Sequence, residues 1–197
     1  MDIRPQSTSM RITISFYILF ALCALLIFPL HEFGHYAVYR LLGVHLHMTL
    51  NTASPTDQSL RKPIAELAGP LLNLIVASAA AIAYAASRRP IWAAVALSTA
   101  LMRLVVYVLV VGTAMITGSG LSLGNDEPIA AHLWGLPSLT FVAIFAVPLV
   151  IVVWSVTRTF QARPLIRVLH VAGFSLTTLF LGVLVGNVLD PWLFPNR

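Results

Sequence analysis

Five apolar runs, at residues 12–42, 63–86, 91–117, 137–157 and 165–189, occupy about two thirds of the chain and dictate the solvent in which it can fold. Each reaches or exceeds the roughly 20 residues that a helix needs to cross a hydrocarbon core about 30 Å thick. Charged residues make up only 10% of the sequence, too few to cover a water-facing surface. A soluble globular fold is excluded on these grounds, and the length allows about one domain. The formal net charge of +5 comes from 12 Lys and Arg against 7 acids, placed singly or in pairs near the ends of the apolar runs. That distribution belongs to membrane flanks and excludes nucleic acid as a partner. Cys23 is the only cysteine, so there is no internal disulfide and no thiolate metal cage. A metal would have to be held by histidine and carboxylate.

The expected fold class is all-α and integral to the membrane, with about five transmembrane helices in a multi-pass chain. The first run starts like a secretory signal, with Arg4 and Arg11 ahead of apolar residues, but no small-x-small cleavage site follows and it reads as a retained helix. As one helix it would be about 46 Å long, more than the bilayer core, with a kink at Pro29 and a stop at Gly43. Over residues 44–50 the period changes to 2, as Val44, Leu46, Met48 and Leu50 alternate with His45, His47 and Thr49. This predicts a short β-strand or hairpin after the first helix, then a polar turn through Asn51, Ser54, Pro55, Thr56 and Asp57. A strand beside a membrane helix needs a partner for its edge. The Gly- and Ser-rich loop 118–126 leads into a short helix that Asn125 or Asp126 can cap, with Pro128 in its first turn. In the last run Ser175, Gly182 and Gly186 fall close to one face. The small-xxx-small pair Gly182 and Gly186 is expected to pack inside the monomer, with a homodimer as the alternative.

His31, Glu32, Phe33, Gly34 and His35 form His-Glu-x-x-His on a helix. Residues four apart differ by about 40° around the axis and 6 Å along it, so both imidazoles can reach one metal ion. Glu32 stands beside them, placed to hydrogen-bond a catalytic water. Each ionisable group in a lipid-embedded helix costs on the order of 2 to 3 kcal/mol or more, which argues against a chance match. A catalytic zinc commonly takes three protein ligands, and the candidates for the third are Glu66, Asp126, Glu127, Asp190 and the remaining histidines. Asp126 follows the third run, which ends on the same membrane face as the first. Asp190 reaches that face too, but in an Asp-Pro-Trp terminus typical of an interfacial anchor, so Asp126 is preferred. Glu66, Gly69 and Asn73 make one stripe at i, i+3, i+7 on the second helix, and Asn73 lies about 15 Å down it, near the depth of His31. Its amide serves either an interhelical hydrogen bond or a substrate carbonyl or oxyanion. Arg103, mid-span, needs a partner, expected to be Glu66 or a backbone carbonyl. His45 and His47 share a solvated strand face, His132 lies roughly 240° around from Asp126 on the short helix, and His170 beside Arg167 is interfacial.

His-Glu-Phe-Gly-His in one membrane helix, Ala-Gly-Pro-Leu-Leu-Asn in the next and an Asp after the third together resemble the site-2 protease family of intramembrane zinc metalloproteases. The resemblance covers residues 12–136. It implies a three-helix protease core over residues 1–136 with a membrane-associated strand at 44–62, and two additional transmembrane helices of the same domain over 137–197. It further implies one Zn²⁺ per chain held by His31, His35 and Asp126, Glu32 as general base, and Asn73 as the Asn of the family's Gly-Pro-x-x-Asn segment. The substrate implied is a transmembrane protein, paired as an extended strand with 44–50. The family's third motif usually reads Asn-x-x-Pro-x-x-Pro-Leu-Asp-Gly, whereas this chain has Leu-Gly-Asn-Asp-Glu-Pro, and its length leaves no room for a PDZ domain. Two alternatives are a prenyl-protein-type membrane zinc protease, which takes a glutamate as third ligand, and a non-catalytic membrane metal-binding or scaffold protein. Five crossings put Arg4, Arg11, Arg88, Arg89, Arg158, Arg163 and Arg167 on the amino-terminal side, against Arg40, Arg61, Lys62 and Arg197. The positive-inside rule turns the active-site half outward, while the family resemblance implies a site nearer the cytoplasm.

Overall fold

A computed structural model of the chain describes residues 10–55, 57–118 and 125–195, and each apolar run is helical there. The first forms α1 (Ile14–Leu41), capped by the Thr13 hydroxyl, which accepts from the Phe16 N–H at 3.3 Å. Pro29 lies inside α1 without ending it. Gly43, in the left-handed region at φ 75°, does end it: the N–H groups of Gly43 and Val44 donate to the carbonyls of Arg40 and Tyr39 at 3.1 and 3.0 Å. The second run divides into α2 (Pro63–Glu66) and α3 (Ala68–Ser87). Pro70 has no N–H to give the Glu66 carbonyl, which accounts for the break at Leu67. Then come α4 (Pro90–Thr117), the short α5 (Asp126–Leu133), α6 (Leu139–Thr157) and α7 (Pro164–Leu184), which runs through a π-helical turn at Val185–Leu189 into α8 (Asp190–Leu193). With α2–α3 and α7–α8 each taken as one span, five helices among the described residues are long and apolar enough to cross a membrane.

The predicted strand shortens to β1 (His47–Met48), and its partner comes from within the predicted polar turn, as β2 (Ala53–Ser54). The pair is antiparallel, with His47 opposite Ser54 and Met48 opposite Ala53. The Thr49 N–H closes the turn on the Thr52 carbonyl at 2.8 Å. Thr56 of the predicted turn, and residues 119–124 of the loop before α5, lie outside the described residues. Asp190 departs from the expected interfacial anchor: it is buried, and its carboxylate accepts from the Thr49 hydroxyl and the Leu50 N–H, both at 2.9 Å. The C-terminal end of the fifth span is thereby tied to the hairpin.

The centre of the bundle is α4, whose residues are buried almost without interruption from Ala93 to Arg103, as expected of a helix surrounded on all sides. By contrast, Ile14, Ile18, Leu22 and Leu26 form an exposed i, i+4 row on α1, and Leu165, Val168, Leu169 and Leu176 are exposed on α7. Such rows would be a liability in water and face lipid in a bilayer. Gly182 gives room to Phe28 of α1 and Gly186 to Asn51 of the hairpin turn, where an added Cβ would lie 3.3 and 3.1 Å from those side chains. Both glycines thus serve packing within the chain. Met10, Tyr84 and Thr159 meet at the other end of the bundle, so the start of α1 and the ends of α3 and α6 share one face.

Candidate metal centre

His31 and His35 project from the buried side of α1, one turn apart. The crossing of α1 with α3 is built on two glycines: an added Cβ at Gly34 would meet the Ala68 carbonyl oxygen at 2.8 Å, and one at Gly69 would meet His35 Nε2 at 2.3 Å and His31 Cε1 at 2.6 Å. Only bare backbone on α3 leaves the imidazoles their space. His35 Nδ1 lies 2.7 Å from the Ala65 carbonyl, which can only accept. Nδ1 therefore carries the hydrogen, and Nε2 keeps its lone pair for the centre.

That lone pair points at the other donors. His35 Nε2 is 3.1 Å from His31 Nε2, His31 Nε2 is 3.1 Å from Asp126 Oδ2, and His35 Nε2 is 3.5 Å from the same oxygen. Asp126 opens α5, and its side chain turns to the histidines; Asn125, at the N-cap position, makes no side-chain capping bond either.

Behind the three donors lies a buried charge pair. The partner of Arg103 is Glu127 rather than the expected Glu66: Arg103 Nη2 donates to both Glu127 carboxylate oxygens, at 2.6 and 2.5 Å, and the Tyr107 hydroxyl donates to Oε1 at 2.5 Å. Arg103 Nη1 turns to the centre, 3.2 Å from Asp126 Oδ2 and 3.4 Å from His31 Nε2. Glu66 accepts from the Tyr39 hydroxyl, with Arg61 Nε 3.9 Å away. It braces the α2 turn whose Ala65 carbonyl orients His35.

Glu32 is half-buried, in the electrostatic field of His35, Asp126 and Arg103 and near the backbone N–H of Ala53 in β2. Asn73 is fully buried, but its Nδ2 donates to Met102 Sδ at 3.3 Å and its Oδ1 has no partner. No hydrogen bond joins it to the three donors. The other histidines are elsewhere: His45 contacts Arg40 at 2.6 Å, His47 and His132 are exposed, and His170 contacts the Tyr17 hydroxyl at 2.8 Å.

No family model, curated protein or solved structure matches the chain. What the centre can do follows from its own donor set. Three electron-pair donors within 4.8 Å of one another, two imidazoles and a carboxylate, could hold one metal ion. Sequence reasoning named Glu127 only as a candidate ligand and not as the partner of Arg103, and it missed Tyr107 and Tyr39. The signal for Glu127 and Tyr107 was present, since a mid-span arginine requires an anion and Tyr107 follows Arg103 by one turn.

Proposed function

We propose that the chain is an intramembrane zinc metalloprotease, similar to site-2 proteases, that hydrolyses a peptide bond in or near the transmembrane segment of a membrane-protein substrate. The observation that carries this is the convergence of His31 Nε2, His35 Nε2 and Asp126 Oδ2 beside Glu32, inside a bundle of apolar helices. A tetrahedral site with bonds of about 2.05 Å has ligand atoms about 3.3 Å apart. The separations here are 3.1, 3.1 and 3.5 Å, close to that spacing.

Bound by these three residues, Zn²⁺ would supply Lewis acidity and lower the pKa of water at its open position. The rest falls to the chain. Glu32, half-buried beside the hairpin, takes the proton of the attacking water and returns it to the leaving amine. The Ala65 carbonyl fixes the tautomer and direction of His35, and Arg103, held on Glu127, fixes Asp126. A helical substrate must unwind to expose a carbonyl, and the edge of the β1–β2 hairpin beside Glu32 offers backbone hydrogen bonds to the unwound segment. A second function is favoured by the contact of Arg103 Nη1 with two of the three donors: a guanidinium there neutralises Asp126, as suits a non-catalytic scaffold.

The test is metal content and cleavage of a single-span substrate by purified protein. Wild type and Glu32→Gln should both carry about one zinc per chain, with cleavage at least about 100-fold slower in the variant. Unchanged proteolysis in Glu32→Gln overturns the assignment, and wild type without bound zinc favours the scaffold.

A further inference from the structure

At the end of the bundle away from the metal centre stand Arg11, Arg88, Arg89, Arg158, Arg163 and Arg167, and among the described residues no carboxylate pairs with any of them. Three of the six, Arg88, Arg158 and Arg167, line a single cleft of about 550 Å³ together with Thr159, Phe160 and Gln161. Each of the three is placed by a neighbour that leaves its charge uncompensated. Arg88 lies over the Tyr84 ring at 5.5 Å, Arg158 lies over the Trp154 ring at 4.9 Å, and Arg167 Nε donates to the Ala162 carbonyl at 2.9 Å. Three like charges gathered in one cleft repel one another and call for an anion that can accept from several N–H groups at once.

The cleft is also structurally fixed. The α6–α7 connection that forms its floor is held by Met10, whose N–H donates to the Thr159 carbonyl at 3.0 Å and whose carbonyl accepts from the Gln161 N–H at 2.8 Å. The hydroxyls of Tyr84 and Thr159 join at 2.7 Å and connect this floor to α3. Arg88 ends α3 in the left-handed region at φ 56°, the only residue other than glycine with a positive φ among the described residues. That conformation favours glycine, yet the chain carries a guanidinium there, directed to the cleft.

The position of the cleft says which anion. It opens where α3 and α6 end and α7 begins, at the boundary of the apolar spans, and the adjoining turn of α7 exposes Leu165 and Ile166 to lipid. We propose that the cleft binds the phosphate of an anionic phospholipid headgroup, with the acyl chains running down the exposed face of α7. Basic pockets between helix ends are suited to such headgroups. This site is independent of the metal centre and does not rest on the protease function.

The full-length chain in neutral detergent, titrated with phosphatidylglycerol, phosphatidylcholine or inorganic phosphate and read by native mass spectrometry, tests it. Phosphatidylglycerol should bind with one saturable high-affinity site, and the triple variant Arg88→Gln, Arg158→Gln, Arg167→Gln should weaken it by about tenfold or more. A second triple, Arg11→Gln, Arg89→Gln, Arg163→Gln, removes the same charge from the same face and should leave that site unchanged. Equal loss in the two triples would mean diffuse attraction to a basic surface and overturn the proposal. Equal binding of phosphatidylcholine would overturn it as well, and inorganic phosphate binding as tightly as the lipid would make the cleft a soluble-anion site. Should the first triple fail to fold, Arg88→Gly serves in its place. Glycine suits that backbone, so the variant should keep wild-type thermal stability and bind phosphatidylglycerol several-fold more weakly, and full retention of affinity in it counts against the site.

Discussion

Arg103 brings a permanent charge into the middle of a span, and Glu127, completely buried beside it, makes that tolerable. Arg103 Nη2 donates to both Glu127 oxygens, and removing Glu127 leaves the guanidinium without its nearest counter-charge. Glu127→Ala should therefore lower stability by about 3 to 5 kcal/mol, whereas Arg103→Met combined with Glu127→Leu should recover most of the loss. Thermal unfolding of the three proteins in detergent checks this, and a single variant as stable as wild type would show that the pair is not coupled. The same site shows what the sequence makes visible residue by residue. His31 and His35 are legible because spacing alone puts them on one helical face, and Asp126 because alternating spans bring it to their side. Adjacent residues on a helix point about 100° apart, so Asp126 and Glu127 must face different partners. Which faces the imidazoles and which the guanidinium is settled only when α5 docks on the bundle.

At the scale of elements, the long helices were readable because bilayer thickness imposes their length and composition. The hairpin was readable only in half. Alternation marked the strand over 44–50, but Ala53 and Ser54, which pair with it, carry no strand signature of their own and are recruited by the turn at Asn51 and by Asp190. The most consequential contact between elements was equally hidden, since the stripe that holds Gly69 does not say that the histidines lie against it until α3 is docked on α1. Its substitution by alanine cannot be absorbed by a small shift: the added carbon would lie 2.3 Å from one imidazole nitrogen and 2.6 Å from the other ring, so ligands or helices must move apart. Gly69→Ala should keep wild-type helix content by circular dichroism and lose most of the metal retained by wild type after dialysis. Equal metal content in the two proteins would mean that the imidazoles are not held where α3 crosses.

For the whole molecule, the question is which way the bundle faces. The described residues place six arginines, none paired with a carboxylate, at the end shared by Met10, Tyr84 and Thr159. The hairpin end has Arg40, Arg61 and Lys62, with Arg61 beside Glu66. Lys and Arg near span ends set orientation, so the arginine-rich end is expected in the cytoplasm. His31 then stands 17 residues beyond the start of α1, about 25 Å from the cytoplasmic end by helical rise, in the outer half of the bilayer. Water and an unwound substrate would reach Glu32 from the hairpin side, where irregular backbone borders the centre. In a Cys23→Ala background, Ser59→Cys in the exposed turn before α2 should react with a membrane-impermeant maleimide on intact cells. Arg89→Cys, between α3 and α4, should react only after lysis. The reverse pattern would put the metal centre on the cytoplasmic half and show that six unpaired arginines at one end do not decide the orientation of this chain.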